Sequence, residues 1–220
     1  MNGPRIYAEI FGIQITTSTI NMWIVMAVIT ILCIVSTRNL KNIPGKLQSI
    51  VEIVVNAING LVESTMGKKN MAFAPYMLTL FIYLAVANTV GIIGMRPPTA
   101  DLNMTLALSI LTFILTQFFG IKSKGIGGYL KGFVEPFPLF LPMNIMGELA
   151  NPISLGFRLF GNLLGGTIIM GLVYSGLSSV INIPLLIPII PHIYFDIFSG
   201  LLQSFIFVML SMVFVSIAMD

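Results

Sequence analysis

Three charged side chains stand where the sequence is otherwise apolar: Glu148, Arg158 and Asp196. A charge held at the centre of a bilayer costs about 2.5–3.5 kcal/mol on insertion scales. Such residues persist where they line a wet path or meet a partner. A guanidinium stays protonated at any relevant pH, so Arg158 cannot relay a proton by losing one. It can attract a carboxylate and block direct passage of a cation. Glu148, Asp196 and His192 can change charge or coordinate a cation, which suits water-filled approaches. This division of labour points to ion translocation rather than covalent catalysis. The plainer account is a buried ion pair that only locks two helices together.

Spacing sharpens the case. At about 100° per residue, Asn144, Glu148, Asn151, Leu155, Arg158, Asn162 and Gly166 fall within an arc of roughly 80°. On the next apolar run His192, Asp196, Ser199 and Gln203 are spaced i, i+4, i+7, i+11. Two polar stripes on consecutive helices suggest a shared wet path or a partner surface. Gly156, Gly161, Gly165, Gly166 and Gly171 keep parts of the first helix narrow, which lets another helix approach closely. Either a static helix contact or a smooth face for a moving partner accounts for them.

The elements that position these residues follow from composition. Apolar residues make up 56% of 220 and charged ones 9%, against about 25% charged in soluble domains, and mean hydropathy is +0.98. Such a chain could not cover a soluble surface, so an all-α, polytopic membrane protein is expected. No charge lies between Glu9 and Arg38, Lys69 and Arg96, or Asp101 and Lys122. Each gap is long enough for a spanning helix, which satisfies its own backbone.

The first helix is expected over about Thr19–Ser36, with Arg38, Lys41 and Lys46 marking a cytoplasmic end. Leu47 to Met66 reads as an amphipathic helix on the cytoplasmic membrane surface. Phe73–Gly94 and Leu102–Ile121 are the second and third spans, joined by an external loop through Arg96-Pro97-Pro98 and Asp101. Gly125-Ile126-Gly127-Gly128 reads as a flexible loop. Two long tilted helices follow, Asn144–Ser175 and His192–Met219, separated by Asn182, Pro184, Pro188 and Pro191. Five crossings put the N-terminus outside and the C-terminus in the cytoplasm. The chain reads as one membrane domain, 1–220, with parts 1–70, 71–135 and 136–220.

Cys33 alone excludes an internal disulfide. The N-terminus shows neither a cleavage pattern nor an Arg/Ser-rich transit sequence, so a bacterial plasma membrane is expected. A net charge of +3 is too small and dispersed to suggest nucleic acid. No phosphate-binding G-x-x-x-x-G-K-[ST] loop is present.

A family is carried by particular residues. Pro152-Ile153-Ser154-Leu155-Gly156-Phe157-Arg158-Leu159-Phe160-Gly161-Asn162 closely resembles the conserved segment of ATP synthase subunit a, and so does Gln203-Ser204-Phe205-Ile206-Phe207. Pro98-Thr99-Ala100-Asp101-Leu102-Asn103 with Thr105-Leu106, and Lys124-Gly125-Ile126-Gly127-Gly128, are supporting matches in family order.

The resemblance implies a stator subunit of a rotary motor, with no covalent catalysis and no cofactor of its own. Its partners would be an oligomeric c-ring facing residues 136–220, the b subunits of the peripheral stalk, the rest of the complex and membrane lipid. Arg158 matches the arginine that separates two half-channels, and Glu148, Asn162 and Gln203 match positions in the half-channels or around that arginine. Asn151, Ser199, Asp101 and His192 complete the expected ion-translocation set. Many relatives carry a Gly-Glu pair where this chain has Gly166-Thr167, so Asp196, supported by His192, is expected to serve the uptake side. The coupling ion is left open as H⁺ or Na⁺.

A stand-alone channel or secondary transporter is the alternative, weakened by the missing inverted repeat. An intramembrane protease would need more than His192 with Asp196, or Ser175 to Ser179, because neither forms a full ligand set or nucleophile motif.

Overall fold

The computed structural model describes residues 6–10, 13–38, 40–134, 137–180, 191 and 193–219. His192 and the Asn182–Pro188 break lie outside the described residues. Strands β1 (Ile6–Ile10) and β2 (Ile13–Thr16) pair antiparallel. The helices are α1 (Thr17–Thr37), α2 (Lys46–Met66), α3 (Ala74–Thr89), α4 (Leu102–Val134), α5 (Leu141–Val180) and α6 (Gly200–Met219). Short 3₁₀ turns flank α3 at Lys68–Phe73 and Val90–Ile93, and a π-helical segment, Ile193–Ser199, leads into α6. Among the described residues, five stretches are long and apolar enough to cross a membrane: Thr17–Thr37, Lys68–Ile93, Leu102–Val134, Pro138–Gly176 and Ile193–Met219. The chain is an all-α polytopic membrane protein with one small strand pair at its N-terminal end.

Local chemistry sets the boundaries. Gly67 ends α2 at φ 79°, its N–H donating to the Glu63 carbonyl at 3.1 Å, a backbone state that favours glycine. Pro75 sits in the first turn of α3, where its missing N–H costs no helical bond. Asp101 starts α4: its Oδ1 accepts from the Asn103 N–H at 3.1 Å and its carbonyl from the Thr105 N–H at 3.2 Å.

Two expectations need correction. The Gly125–Gly128 stretch is not an open loop. Gly125 alone leaves helical geometry, at φ 73° and ψ 162°, and residues 126–134 are helical again. The hydroxyl of Tyr129 donates to Gln117 Oε1. A straight helix would hold these residues about 18 Å apart, so the chain folds back on itself at Gly125. The second polar stripe is also not one regular α-helix, because its first turns are π-helical. The wider turn changes the phase at which Asp196 and Ser199 leave the backbone.

The core joins α2, α3, α5 and α6 through Ile58, Val62, Met77, Leu84, Leu159, Phe207 and Met212, all buried. In lipid this burial acts through close packing rather than release of water. Polar ties add direction. Buried Asn88 donates from Nδ2 to the Gly200 carbonyl (3.1 Å) and to Ser204 Oγ (2.9 Å), and its Oδ1 accepts from Thr99 (2.7 Å). Three segments distant in sequence are thereby pinned together. On α4, Thr105, Ser109, Thr112 and Thr116 form a buried stripe, each hydroxyl donating back to a carbonyl of its own helix. Their small size lets α5 close in. A Cβ on Gly156 would come within 2.9 Å of Leu106 Cδ2 and 3.0 Å of Ser109 Oγ.

Candidate functional site

Most of the polar stripe lies along the inner flank of α5, which runs antiparallel to both α4 and α6. Gln117 meets Glu148 while Ser109 faces Gly156. Asn162 meets Ser199 while Gly166 faces Phe195. Pro152 lies inside α5 and has no N–H to give to the carbonyl of Glu148, four residues back. The helix is thus weakened where its acid sits.

Around Glu148 a small cavity of about 10 Å³ is lined by Thr112, Thr116, Asn151, Pro152, Leu155 and Phe214, among others. That is about one water-sized void with several polar walls. Gln117 Nε2 donates to Glu148 Oε2 at 2.9 Å.

Toward the other end of α5 the bundle opens into a cavity of about 460 Å³, whose polar lining includes Arg96, Asn162, Thr167 and Asp196. Asn162 and Ser199 hold each other: the amide nitrogen donates to Ser199 Oγ at 2.8 Å and the hydroxyl returns to Asn162 Oδ1 at 3.0 Å. The Asp196 carboxyl packs beside Gly91, where a Cβ would stand 3.5 Å from its Cγ and Oδ1. The loop carrying Arg96 is fixed by Asn21 of α1, which donates to the Arg96 carbonyl at 2.8 Å.

Arg158 lies between these regions, ten residues from Glu148 and four from Asn162, or about 15 and 6 Å along the helix. It is exposed, and it has no hydrogen bond or ion pair with any described residue. Ile153 and Phe157 on α5, and Phe198, Leu201 and Phe205 on the following run, are exposed as well. Four residues beyond the Asn162–Ser199 pair, the same antiparallel register brings Arg158 level with Gln203. Gln203 is buried, and its Nε2 has no hydrogen-bond partner among the described residues.

The residues singled out from sequence therefore separate. Glu148 and Asn151 line the small cavity, Asn162 and Asp196 the large one, and Ser199 braces Asn162. Asp101 lines neither cavity and instead caps α4. Of the glycines, Gly156 and Gly166 meet neighbouring helical segments of this chain, whereas Gly161 and Gly165 face open space. Arg96 and Gln117 were missed. Gln117 had left a trace, being the sole amide or charge between Asn103 and Lys122. Arg96 looked like a loop residue, and nothing local tied it to Asp196.

Membrane-length helices packed around buried hydroxyls and amides, with half-buried Glu148 and Asp196 beside two separate cavities and an exposed Arg158, define a polytopic α-helical membrane protein. The sequence profile of the ATP synthase A chain family matches residues 19–216. The sodium-ion-specific ATP synthase subunit a of Propionigenium modestum is 35% identical over 225 residues, covering 94% of this chain and 75% of that protein. ATP synthase subunit a of Moorella thermoacetica is 35% identical over 205 residues, covering 93% and 91%. That of Bacillus subtilis is 36% identical over 229 residues, covering 94% of each. The chain belongs to the ATP synthase A chain family.

Proposed function

We propose that this chain is the ion-translocating stator subunit a of a rotary F-type ATP synthase in a bacterial plasma membrane, with Arg158 separating two half-channels. The observation that carries the reading is the position of Arg158. It is an exposed cation with no hydrogen bond or ion pair among the described residues, on α5 between two cavities toward opposite ends of the bundle. A guanidinium on a lipid-depth face needs negative charge brought to it. The mid-membrane carboxylate of a c-ring supplies that charge, and the exposed face of α5 and α6 gives the ring a surface to move along.

The N-terminus lies outside and the C-terminus in the cytoplasm, following the lysines near the ends of α1 and α4. The large cavity then opens outward. An incoming H⁺ or Na⁺ passes Asp196, Asn162 and Ser199 to reach a ring carboxylate near Gln203. His192, one turn before Asp196 in sequence, supports that inlet. Arg158 repels the free cation and attracts the emptied carboxylate. At 4 Å and an effective dielectric near 20, that attraction is about 4 kcal/mol. The loaded ring site travels around through lipid and discharges toward Glu148 and Asn151. Each charge falling through 100 mV releases about 2.3 kcal/mol, so several steps drive one ATP. The nucleotide chemistry belongs to the soluble head, and the b subunits hold the stator against rotation.

The test is Arg158→Ala in the assembled complex. ATP synthesis driven by an ion gradient is expected to vanish, while the head still hydrolyses ATP. Wild-type synthesis by that variant would reject the assignment.

A further inference from the structure

The amide of Gln117 is used at both ends. Its nitrogen donates to Glu148 Oε2 at 2.9 Å, and its oxygen accepts from the Tyr129 hydroxyl. The donor–acceptor inventory determines this orientation. The NH₂ donates to the carboxyl oxygen of Glu148, and the phenol proton meets the amide carbonyl oxygen. Glu148 Oε1 has no hydrogen-bond partner among the described residues. One oxygen is thereby held and the other left for exchange.

The chain of contacts depends on the fold-back. The positive φ of Gly125 returns residues 126–134 alongside the part of α4 that precedes it. Gly120 then admits the tyrosine ring: a Cβ there would stand 2.8 Å from Tyr129 Cε2. A second hydrogen bond, Asn144 Nδ2 to the Phe133 carbonyl at 2.9 Å, fastens the same segment to the start of α5. The groups lining the Glu148 cavity are hydroxyls, an amide and apolar side chains, with no Lys or Arg among the described residues. Gln117 and Tyr129 are therefore the groups that orient this acid.

We infer that Gln117 and Tyr129 are positioning residues for ion release, holding Glu148 in its exchange geometry through the cytoplasmic fold-back at Gly125. The inference rests on the reading of Glu148 as part of the exit path. Tyr129→Phe removes the hydroxyl and keeps the ring against Gly120. Gln117→Leu removes both hydrogen bonds at similar volume.

The assay uses the whole complex in proteoliposomes, measuring ion conduction against cytoplasmic-side pH and, separately, cytoplasmic-side Na⁺. The probe that supports conduction is the one read. Tyr129→Phe is expected to shift the half-saturating cytoplasmic concentration of that ion by about five-fold, the size of one net hydrogen bond. Gln117→Leu is expected to shift it further, and the double variant no further than Gln117→Leu alone. Dependence on the outer-side ion stays unchanged, which a general loosening of the bundle would not achieve. If Tyr129→Phe assembles and its cytoplasmic-side curve is wild-type, or if the curves on both sides move together, the positioning role is wrong. Glu148→Gln separates the two levels. If it conducts like wild type, the exit-path reading itself fails and takes this inference with it. If it is impaired while Tyr129→Phe is not, only the positioning role fails.

Discussion

Gly156 of α5 and Ser109 of α4 face each other with no room for a methyl group between them: a Cβ on Gly156 would lie 3.0 Å from Ser109 Oγ. Gly161, five residues further along the same helix, has open space where its Cβ would be. Two glycines of one motif therefore answer to different neighbours. Gly156→Val is expected to destabilise the isolated chain in detergent by about 1–3 kcal/mol, the range for overpacking, whereas Gly161→Val leaves it within about 0.5 kcal/mol. Thermal unfolding of the two variants side by side decides this. Equal losses would mean that the α4–α5 contact is looser than described.

Asp101 and Asp196 provide a second contrast. Asp101 caps α4, so Asp101→Ala is expected to cost about 1 kcal/mol of stability and to leave ion flux per assembled complex unchanged. Asp196 lines the large cavity, so Asp196→Asn is expected to cut ATP-driven pumping at least about ten-fold, the equivalent of 1.4 kcal/mol, without loss of assembly. Pumping assays on both would reverse this assignment if Asp101→Ala proved the more damaging change.

The buried amide of Asn88 serves three partners. Asn88→Ala leaves the Thr99 hydroxyl without its acceptor and takes the amide from Ser204 and the Gly200 carbonyl, which keep their own bond at 2.8 Å, and it is expected to lower stability by about 1–3 kcal/mol. Ser204→Ala leaves the Gly200 carbonyl and Thr99 still bonded and should cost less than half as much. A larger loss from Ser204→Ala, read as melting temperature in the same detergent, would dismantle this account of the network.

Water access to the large cavity can be read with thiol reagents. Cys33 is exposed and must first be replaced by serine. In that background Thr167→Cys, on the cavity wall, should react with a charged thiosulfonate. Ser109→Cys, buried between α4 and α5, should resist it. Protection of position 167, or rapid labelling of position 109, would contradict the arrangement of wet and dry faces.

Much of the architecture was legible because lipid is a demanding solvent. Uncharged gaps of helical length have few alternatives, and Glu148, Arg158 and Asp196 stand out against them. The capping role of Asp101 was also within reach, since an Asp directly before a helical run with an amide two residues on is a start signal. The fold-back was harder to read. Gly125-Ile126-Gly127-Gly128 looks like a loop, and only the single positive φ at Gly125 shows that two helices meet there. The π-helical turn before Gly200 left no signal in a period count, because helical spacing was assumed throughout.

By itself the sequence determined how many times the chain can cross a membrane, which side chains are too costly there to be idle, and that the outstanding cation is an arginine. Those follow from solvation energies and helical geometry, which act locally. The tertiary structure decided partners: Gln117 for Glu148, Ser199 for Asn162, Arg96 in the same cavity as Asp196, and an open face for Arg158. Partners are set by the register and rotation of one helix against another. Those depend on small residues such as Gly156 and Gly120 meeting the surfaces that fit them, across separations no local pattern records.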